Sequence, residues 1–205
     1  MDSEYYINSF CSIKNNTISL NGSKIYSDET IDFLEFIKAA YKSLDTNYPK
    51  FFKMDGLSKL ALLAADVLLK DENLDEDKEN DIAIVFSNKA SSLDTDRKHQ
   101  KSIENKEEYY PSPAIFVYTL PNICIGEISI RHKLFSENSF FIFDNFNAQH
   151  LLDYANSLLS ANKTKNVLCG WVELDGNHYE AYLYLVTKTG IIAHNKENII
   201  KFYNT

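Results

Sequence analysis

The chain has 205 residues, of which 44% are hydrophobic, and a formal net charge of −8. A nucleic-acid surface needs a basic footprint, so this charge disfavours nucleic acid as a partner. No stretch approaches the roughly 18 apolar residues of a membrane span. The length fits a single globular domain, which we expect to comprise residues 1–205.

The cysteines and the N-terminus indicate the compartment. Cys11, Cys124 and Cys169 lie among apolar neighbours, and an odd number of cysteines gives no pairing pattern. We therefore expect reduced thiols and a cytoplasmic location. The acidic segment from Met1 to Glu4 lacks the basic start of a signal peptide. No CxxC or HExxH motif occurs, and we expect neither a metal site nor a cofactor.

The first third of the chain predicts one strand and two helices. Tyr5 to Ile13 alternates loosely as a strand does, and Asn21-Gly22 marks a turn. A helical apolar pattern runs from Glu29 to Leu44, and Pro49 interrupts it. The strongest helix covers Asp55 to Lys70, whose broad apolar face predicts burial on more than one side.

The middle of the chain alternates between polar and apolar segments. Asp71 to Asp81 is highly charged but lacks the ligand spacing of a calcium loop, so it is interpreted as a solvated connector. Asp81 to Asn88 contains a continuous apolar run, typical of a buried parallel strand. Lys89 to Glu108 is polar and is expected to be exposed, and it could contain a short helix.

A second buried helix is predicted within Tyr109 to Leu134. Thr119 can cap it, and Pro121 is tolerated in a first helical turn. Gly126 lies mid-helix at a cost of about 1 kcal/mol relative to alanine, which close packing against a neighbouring backbone would explain. Its basic end, Arg131 to Lys133, suits a helix C-terminus.

The last third predicts a strand, a helix and a hairpin. Ser139 to Phe143 is interpreted as a buried strand, and Asp144 or Asn145 can cap the helix that covers Phe146 to Asn162. The strand from Asn166 to Leu174 turns at Asp175-Gly176-Asn177 and pairs with an antiparallel strand from Tyr179 to Thr187. This order of elements is typical of an α/β protein with one antiparallel strand.

Several short segments together resemble a known family. They are Lys53-Met54-Asp55, Pro111-Ser112-Pro113, Thr119-Leu120-Pro121-Asn122 with Gly126, and the strand from Val167 to Glu173. In order and spacing they resemble the N-terminal half of a β-ketoacyl synthase, a thiolase-like condensing enzyme. The chain looks most similar to short synthase-like proteins of bacterial aryl polyene, flexirubin-type or fatty-acid clusters. The resemblance implies a thiolase-like half-domain, with a five-stranded mixed sheet in the order 3-2-1-4-5, an antiparallel fifth strand and helices on both faces.

The resemblance also implies where the chemistry would lie. In the family, the strand matching Ser139 to Phe143 leads into the acyl-accepting cysteine, and Asn145 falls at that position here. An amide forms no thioester, and Asp144 would repel a developing anion. The family's active-site histidines lie in the second half of the fold, which these residues do not include. His150 follows Asn145 by just over one helical turn, so it could face a pocket or be an ordinary helix histidine.

Other polar groups have a functional and a plain interpretation. Asp175 and His178 could form a dyad, although no nucleophile accompanies them. The basic groups Arg97, Lys98 and Lys101, and separately Arg131 and Lys133, could receive an acidic acyl carrier protein. The net charge of −8 favours solvated surfaces instead. Cys124 as a reactive thiol is disfavoured by its apolar neighbours.

We therefore expect a non-catalytic ketosynthase-like protein, a partner or scaffold for a β-ketoacyl synthase or its acyl carrier protein in fatty-acid, aryl polyene or polyketide-type biosynthesis. The alternative is an acyltransferase or malonyl-carrier decarboxylase that a second chain completes, and a third possibility is a merely self-associating domain. Without a second half, the apolar faces of 55–70 and 146–162 would be partly uncovered. We expect them to be covered by the 29–44 helix, the C-terminal tail, a second copy or a synthase subunit. The strand at Ser139 to Phe143 offers an edge as a second interface.

Overall fold

The computed structural model describes residues 4–29, 32–75, 77–105, 107 and 109–205. Within them the fold is built on a mixed sheet of eight strands in the order β3-β2-β1-β7-β6-β4-β5, with β8 paired to β1. The strands are β1 (Tyr6–Lys14), β2 (Thr17–Leu20), β3 (Ser23–Ser27), β4 (Ile82–Asn88), β5 (Asn138–Ile142), β6 (Asn166–Asp175), β7 (His178–Thr187) and β8 (Ile192–Ala193).

Helices cover both faces of this sheet. They are α1 (Phe33–Ser43), α2 (Gly56–Leu69), α3 (Leu93–Glu104), α4 (Pro113–Val117), α5 (Ile123–His132), α6 (Ala148–Ser160) and α7 (Lys196–Tyr203), with a 3-10 helix at Pro49–Lys53. The predicted α/β class, mixed sheet, antiparallel hairpin strand and two helical layers are confirmed.

The order of the five predicted strands differs from the prediction. Numbered along the chain, they stand 3-2-4-5-1 rather than 3-2-1-4-5, because β6 pairs directly with β4 and β1 lies beyond β7. Strand β1 forms eight antiparallel residue pairs with β7. The hairpin β2–β3 then covers its other edge. The burial pattern of β1 indicates that strands lie on both sides of it, but it does not identify those strands.

Asparagines shape the two turns of the β1–β2–β3 meander. Asn15 and Asn16 both have positive φ, at 48° and 53°, and Asn21 and Gly22 have φ of 51° and 78°. Two consecutive left-handed residues match the right-handed twist of the strands that they connect. The predicted turn at Asn21-Gly22 is confirmed, whereas the short strands on either side of it were not predicted.

Helix α2 lies at the centre of one helical layer. Asp55 caps it by accepting a hydrogen bond from Ser58 N at 2.9 Å, and every residue from Gly56 to Leu69 except Asp66 is among its buried residues. It packs on β1, β6 and β7 from one side and against α1 and α5 from the other. The prediction that this helix is buried on more than one side is confirmed.

The expected exposure of apolar helix faces is not observed. Helix α1 and the C-terminal α7, two of the four coverings considered, pack against α2 and α6 respectively. Helix α6 directs Leu151, Ala155 and Leu159 inward. Its outer positions, Gln149 and Asp153 among them, are exposed and polar. Elements of this chain thus cover both faces.

The segment from Tyr109 to Leu134 forms two helices rather than one. Pro113 begins the short α4, capped by Ser112 Oγ, and α5 begins only at Ile123. Thr119 Oγ1 donates to the carbonyl of Phe116 in the last turn of α4, so it does not cap the N-terminus of α5 as predicted. The packing explanation for Gly126 is wrong, because a Cβ added there would meet nothing within 4 Å.

Boundaries and exposure differ at a few other points. The first helix begins at Phe33, capped by Asp32, rather than at Glu29. Helix α3 fills most of the polar 89–108 segment. Strand β5 is half-buried because β4 is its only partner among the described residues. Parts of the predictions for 1–4, 29–44, 71–81 and 89–108 lie outside the described residues. No helix in the described ranges is long and apolar enough to cross a bilayer.

Candidate functional site at the carboxyl end of the sheet

A cleft of about 650 Å³ opens where β4, β5 and β6 end. Four short segments meet there: Lys89 just after β4, the residues just after β5, the turn end of the β6–β7 hairpin, and the end of α7. The side chains that matter below are Asp144, Asn145, Phe146, Trp171, Glu173 and Tyr203. The sheet order brings these segments together although they are far apart in sequence.

Glu173 anchors one wall of the cleft. Its side chain is buried, and its carboxylate accepts hydrogen bonds from the backbone N–H of Lys89 at 2.7 Å and of Ala90 at 3.2 Å. The loop after β4 is thereby tied to the end of β6. A charged residue inside an otherwise apolar strand was the signal in the sequence, because a buried carboxylate needs donors around it.

Aromatic rings form the opposite wall. Phe146 stacks on Tyr203 with ring centroids 4.2 Å apart, and Trp171 meets Phe146 edge-on at 6.2 Å. Tyr203 Oη donates to Glu180 Oε1 at 2.6 Å. Burial, with the hydrogen bond to Glu180, raises the pKa of Tyr203 well above its usual value. This phenol is a neutral donor at physiological pH.

Asn145 and Asp144 follow β5 and are exposed on the rim of the cleft. Neither residue caps α6. The cap is Asn147, whose Oδ1 accepts a hydrogen bond from His150 N at 3.0 Å. The prediction of a helix cap at Asp144 or Asn145 is therefore wrong by two or three residues, because the chain makes an extra bend before the helix begins. The amide of Asn145 is left free to face the cleft.

His150 takes no part in this cleft. Its ring packs edge-on against Phe141 at 4.4 Å and Phe143 at 4.9 Å, between α6 and the edge strand. Its Nε2 is buried without a hydrogen-bond partner. The structure thus places the imidazole in an aromatic contact with β5.

The proposed dyad of Asp175 and His178 does not form. The two residues are paired across the turn of the β6–β7 hairpin, but the carboxylate of Asp175 bonds to the guanidinium of Arg97 instead. That hydrogen bond lowers the pKa of Asp175 below its usual value. Arg97 was assigned to a basic patch, whereas the structure shows that it lies on α3 and forms an ion pair with Asp175.

The other basic groups are also largely paired. Lys98 contacts Asp94 at 2.6 Å on α3. Arg131 lies 3.6 Å from Asp66 and stacks over the Tyr48 ring, with its guanidinium carbon 5.2 Å from the centroid. His132 Nε2 lies 2.7 Å from the same carboxylate of Asp66. Lys101 and Lys133 form no ion pair among the described residues, so each predicted basic group keeps one unpaired cation.

The thiols lie away from the cleft and are buried. Cys11, Cys124 and Cys169 are each at most 1% exposed. Burial raises the pKa of Cys169 to about 12 and raises those of the other two further. A nucleophilic cysteine must be an accessible thiolate, so none of the three can accept an acyl group in this conformation.

Within the described residues, no group of three histidine, cysteine or carboxylate side chains is placed to hold a metal ion. In the cleft itself, the polar groups are carboxylates, amides, one lysine, one histidine and one phenol. This arrangement can bind and orient a ligand by hydrogen bonds, charge and aromatic contact.

Comparison with known proteins identifies the architecture. No protein-family model and no curated protein matches the sequence. Solved structures do match: the ishigamide ketosynthase/chain length factor superposes with a TM-score of 0.68 at 17% identity, over 90% of this chain and 62% of that chain. The fold is that of a ketosynthase. A type II polyketide ketosynthase structure with its acyl-carrier protein, AntDE:AntF, gives 0.65 at 13% identity, over 91% of this chain and 63% of that chain.

A third matched protein has nearly the same length as this chain. In the complex of a ketosynthase (ApeO) with its chain length factor (ApeC) from Xenorhabdus doucetiae, the match has a TM-score of 0.62 and 16% identity. It covers 98% of this chain and 90% of that chain, so the two chains are nearly equally long. The chain spans only about three fifths of the length of the other two matched proteins. The predicted thiolase-like, ketosynthase-like fold is confirmed.

Proposed function

We propose that this protein is a non-catalytic ketosynthase-like subunit that pairs with a β-ketoacyl synthase in fatty-acid, aryl polyene or polyketide-type biosynthesis. The observation that carries the proposal is the cleft itself. At the position where the family resemblance puts the acyl-accepting cysteine, the chain has the exposed amide of Asn145. No cysteine, serine or threonine lines the cleft among the described residues. Acyl transfer through a covalent intermediate requires such a nucleophile.

The likeness to partner-forming proteins supports the assignment of a partner. Two of the matched structures have a chain length factor in their titles, and one of these contains a chain of nearly this length. A ketosynthase in complex with its chain length factor is the precedent for a subunit that pairs with a ketosynthase. We extend that role to this chain as a proposal, with the cytoplasm as its compartment.

The surface around β5 offers the partner a place to bind. Along the chain, eight of the fourteen exposed large hydrophobic side chains in the described residues fall between Tyr109 and Ile142, the segment that ends in β5, although α4 within it packs against α3. Ile142, on the edge strand itself, is 50% exposed. An unpaired strand edge with apolar side chains beside it favours association with another chain. A second copy of this chain is the simpler form of the same interaction, and acyl carrier protein is a weaker candidate because the net charge of −8 opposes an acidic partner.

Co-expression with a tagged full-length ketosynthase from the same genome tests the proposal. We expect a complex of one copy of each chain by light scattering, and acyl transfer from an acyl carrier protein only when the ketosynthase is present. An inactivated ketosynthase, with its cysteine changed to alanine, is the control, and its complex should be inactive. Acyl transfer or malonyl decarboxylation by this chain alone would overturn the proposal in favour of an enzyme. So would activity in the complex with the inactivated ketosynthase.

A further inference from the structure

The cleft has the size and aromatic wall of a small-molecule site. Its volume of about 650 Å³ lies within the range of ligand pockets, roughly 300–1,000 Å³. Phe146 and Tyr203 stack at 4.2 Å and present a flat apolar surface beside Trp171. Such rings carry negative charge on their faces, which attracts cations.

The charged groups of the cleft are mostly negative. Asp144, Glu173, Asp175 and Glu180 line it, against the single ammonium group of Lys89. Asp175 is neutralised by Arg97. For the other three carboxylates no salt bridge is formed among the described residues. Two of them, Glu180 and Glu173, help to raise the pKa of Tyr203 after burial and the hydrogen bond. Their negative potential therefore extends across the cleft to the aromatic wall.

Trp171 adds an unused donor. Its side chain is 4% exposed, and its Nε1 has no hydrogen-bond partner. Buried indole N–H groups usually find an acceptor, and this one is itself inaccessible, so it meets a ligand only if the ring moves. A hydroxyl or carbonyl on a ligand would serve, after a small shift of the ring toward the opening.

We propose that this cleft binds a small organic cation that carries an aromatic or alkyl group, such as an arylalkylamine. The ammonium group faces Glu180 and Asp144, and the apolar part lies against Phe146 and Tyr203. Anionic ligands, including carboxylates and phosphates, are disfavoured by the same three carboxylates, which form no salt bridge among the described residues. This binding activity is independent of the proposed pairing with a ketosynthase, and it requires no covalent chemistry.

The only tryptophan of the chain makes the test direct, since Trp171 lines the cleft. The purified protein is titrated at pH 7 with 2-phenylethylamine and, separately, with 3-phenylpropionate, which has similar shape and opposite charge. We expect a saturable change in fluorescence with the amine and binding at least about tenfold weaker with the carboxylate. Equal affinity for the two probes, or no saturation with the amine at millimolar concentration, would overturn the proposal.

Charge-neutral variants locate the site. Glu180→Gln and Asp144→Asn keep the shape of the side chains, and each should weaken binding of the amine about threefold, as expected for a partly exposed ion pair. Glu35→Gln on α1, exposed on the opposite face of the sheet, should leave affinity unchanged. Thermal melting of each variant confirms that it is folded. Full affinity in both folded cleft variants would show that the amine binds elsewhere and would refute the assignment.

Discussion

Helices α2 and α6 lie on opposite faces of the same sheet, and they are covered in different ways. Helix α2 has thirteen buried residues out of fourteen, because α1, α5 and the sheet surround it. Helix α6 has five out of thirteen and keeps a polar outer face, with α7 as its main helical neighbour among the described residues. A helix without an apolar outer face does not require a second protein layer there. From this difference we expect a partner chain to bind at the β5 edge rather than over either helix.

The largest expected effect compares one leucine from each helix. Leu63 on α2 is fully buried, and Leu63→Ala should lower the free energy of unfolding by about 2–5 kcal/mol. Leu152 on α6 is only partly buried, and Leu152→Ala should cost about 1 kcal/mol. Urea denaturation of both variants measures the difference. Equal losses would mean that α2 is not enclosed in solution as described.

A pH effect should appear on the α6 side through His194. His194 is 3% exposed, contacts Asn156 of α6 at 3.0 Å through Nδ1, and burial lowers its pKa from 6.5 to about 4. The unfolded chain therefore binds a proton at a pH where the folded chain does not. Stability from this group is complete above pH 6.5 and falls as pH decreases toward 4, by up to about 3 kcal/mol.

The variant His194→Gln isolates this contribution from the titration of carboxylates. The stability difference between wild type and His194→Gln should shrink as the pH falls from 7 to 4, and amides of α6 should lose hydrogen-exchange protection before those of α2. A constant difference between the two proteins over that range would contradict the assignment, as would simultaneous loss of protection in both helices.

Several elements show how much of the fold can be predicted from the sequence. The apolar run at 82–88, the hairpin turn at 175–177 and the broad face of 55–70 each follow from local chemistry, and all three were confirmed. The place of β1 was not predictable in that way, because a pattern of burial reports how many neighbours a strand has but not which ones. The cap of α6 was misplaced for a related reason, since Asn145 and Asn147 are equally good caps and only the path of the chain decides.

The candidate site was predictable only in part. Family resemblance singled out Asn145 and Asp144, and both lie on the rim of the cleft. Whether Asn145 replaces a nucleophile stays a prediction. Tyr203 and Glu180 could not be found from the sequence. They reach the cleft only because β7 lies next to β6 and because α7 folds back over the end of the sheet.

The two helix caps offer a smaller, matched comparison. Asp55 accepts from Ser58 N and also from Thr95 Oγ1 at 2.8 Å, and it lies near the buried ammonium group of Lys59, whose pKa burial lowers. Asp55→Ala should therefore cost about 2 kcal/mol. Among the described residues the side chain of Asn147 makes only its cap bond to His150 N, and Asn147→Ala should cost about 1 kcal/mol. Thermal unfolding distinguishes them, and an equal loss would show that the contacts of Asp55 beyond the cap are not stabilising.

The last pair of variants should have the smallest effect on stability, and one of them should have a clear effect on association with another chain. Ile142→Lys places a charge on the exposed edge strand β5, and Ile25→Lys does the same on β3, at the other edge of the sheet, where Ile25 is 42% exposed. Both variants should change the free energy of unfolding by no more than about 0.5 kcal/mol, because surface substitutions seldom do more. Only Ile142→Lys should abolish binding to a ketosynthase or to a second copy, since a lysine on an edge strand opposes pairing with another chain. Light scattering of the wild type and the two variants measures association. If only Ile25→Lys abolished it, the interface would lie at the β2–β3 hairpin and not at β5.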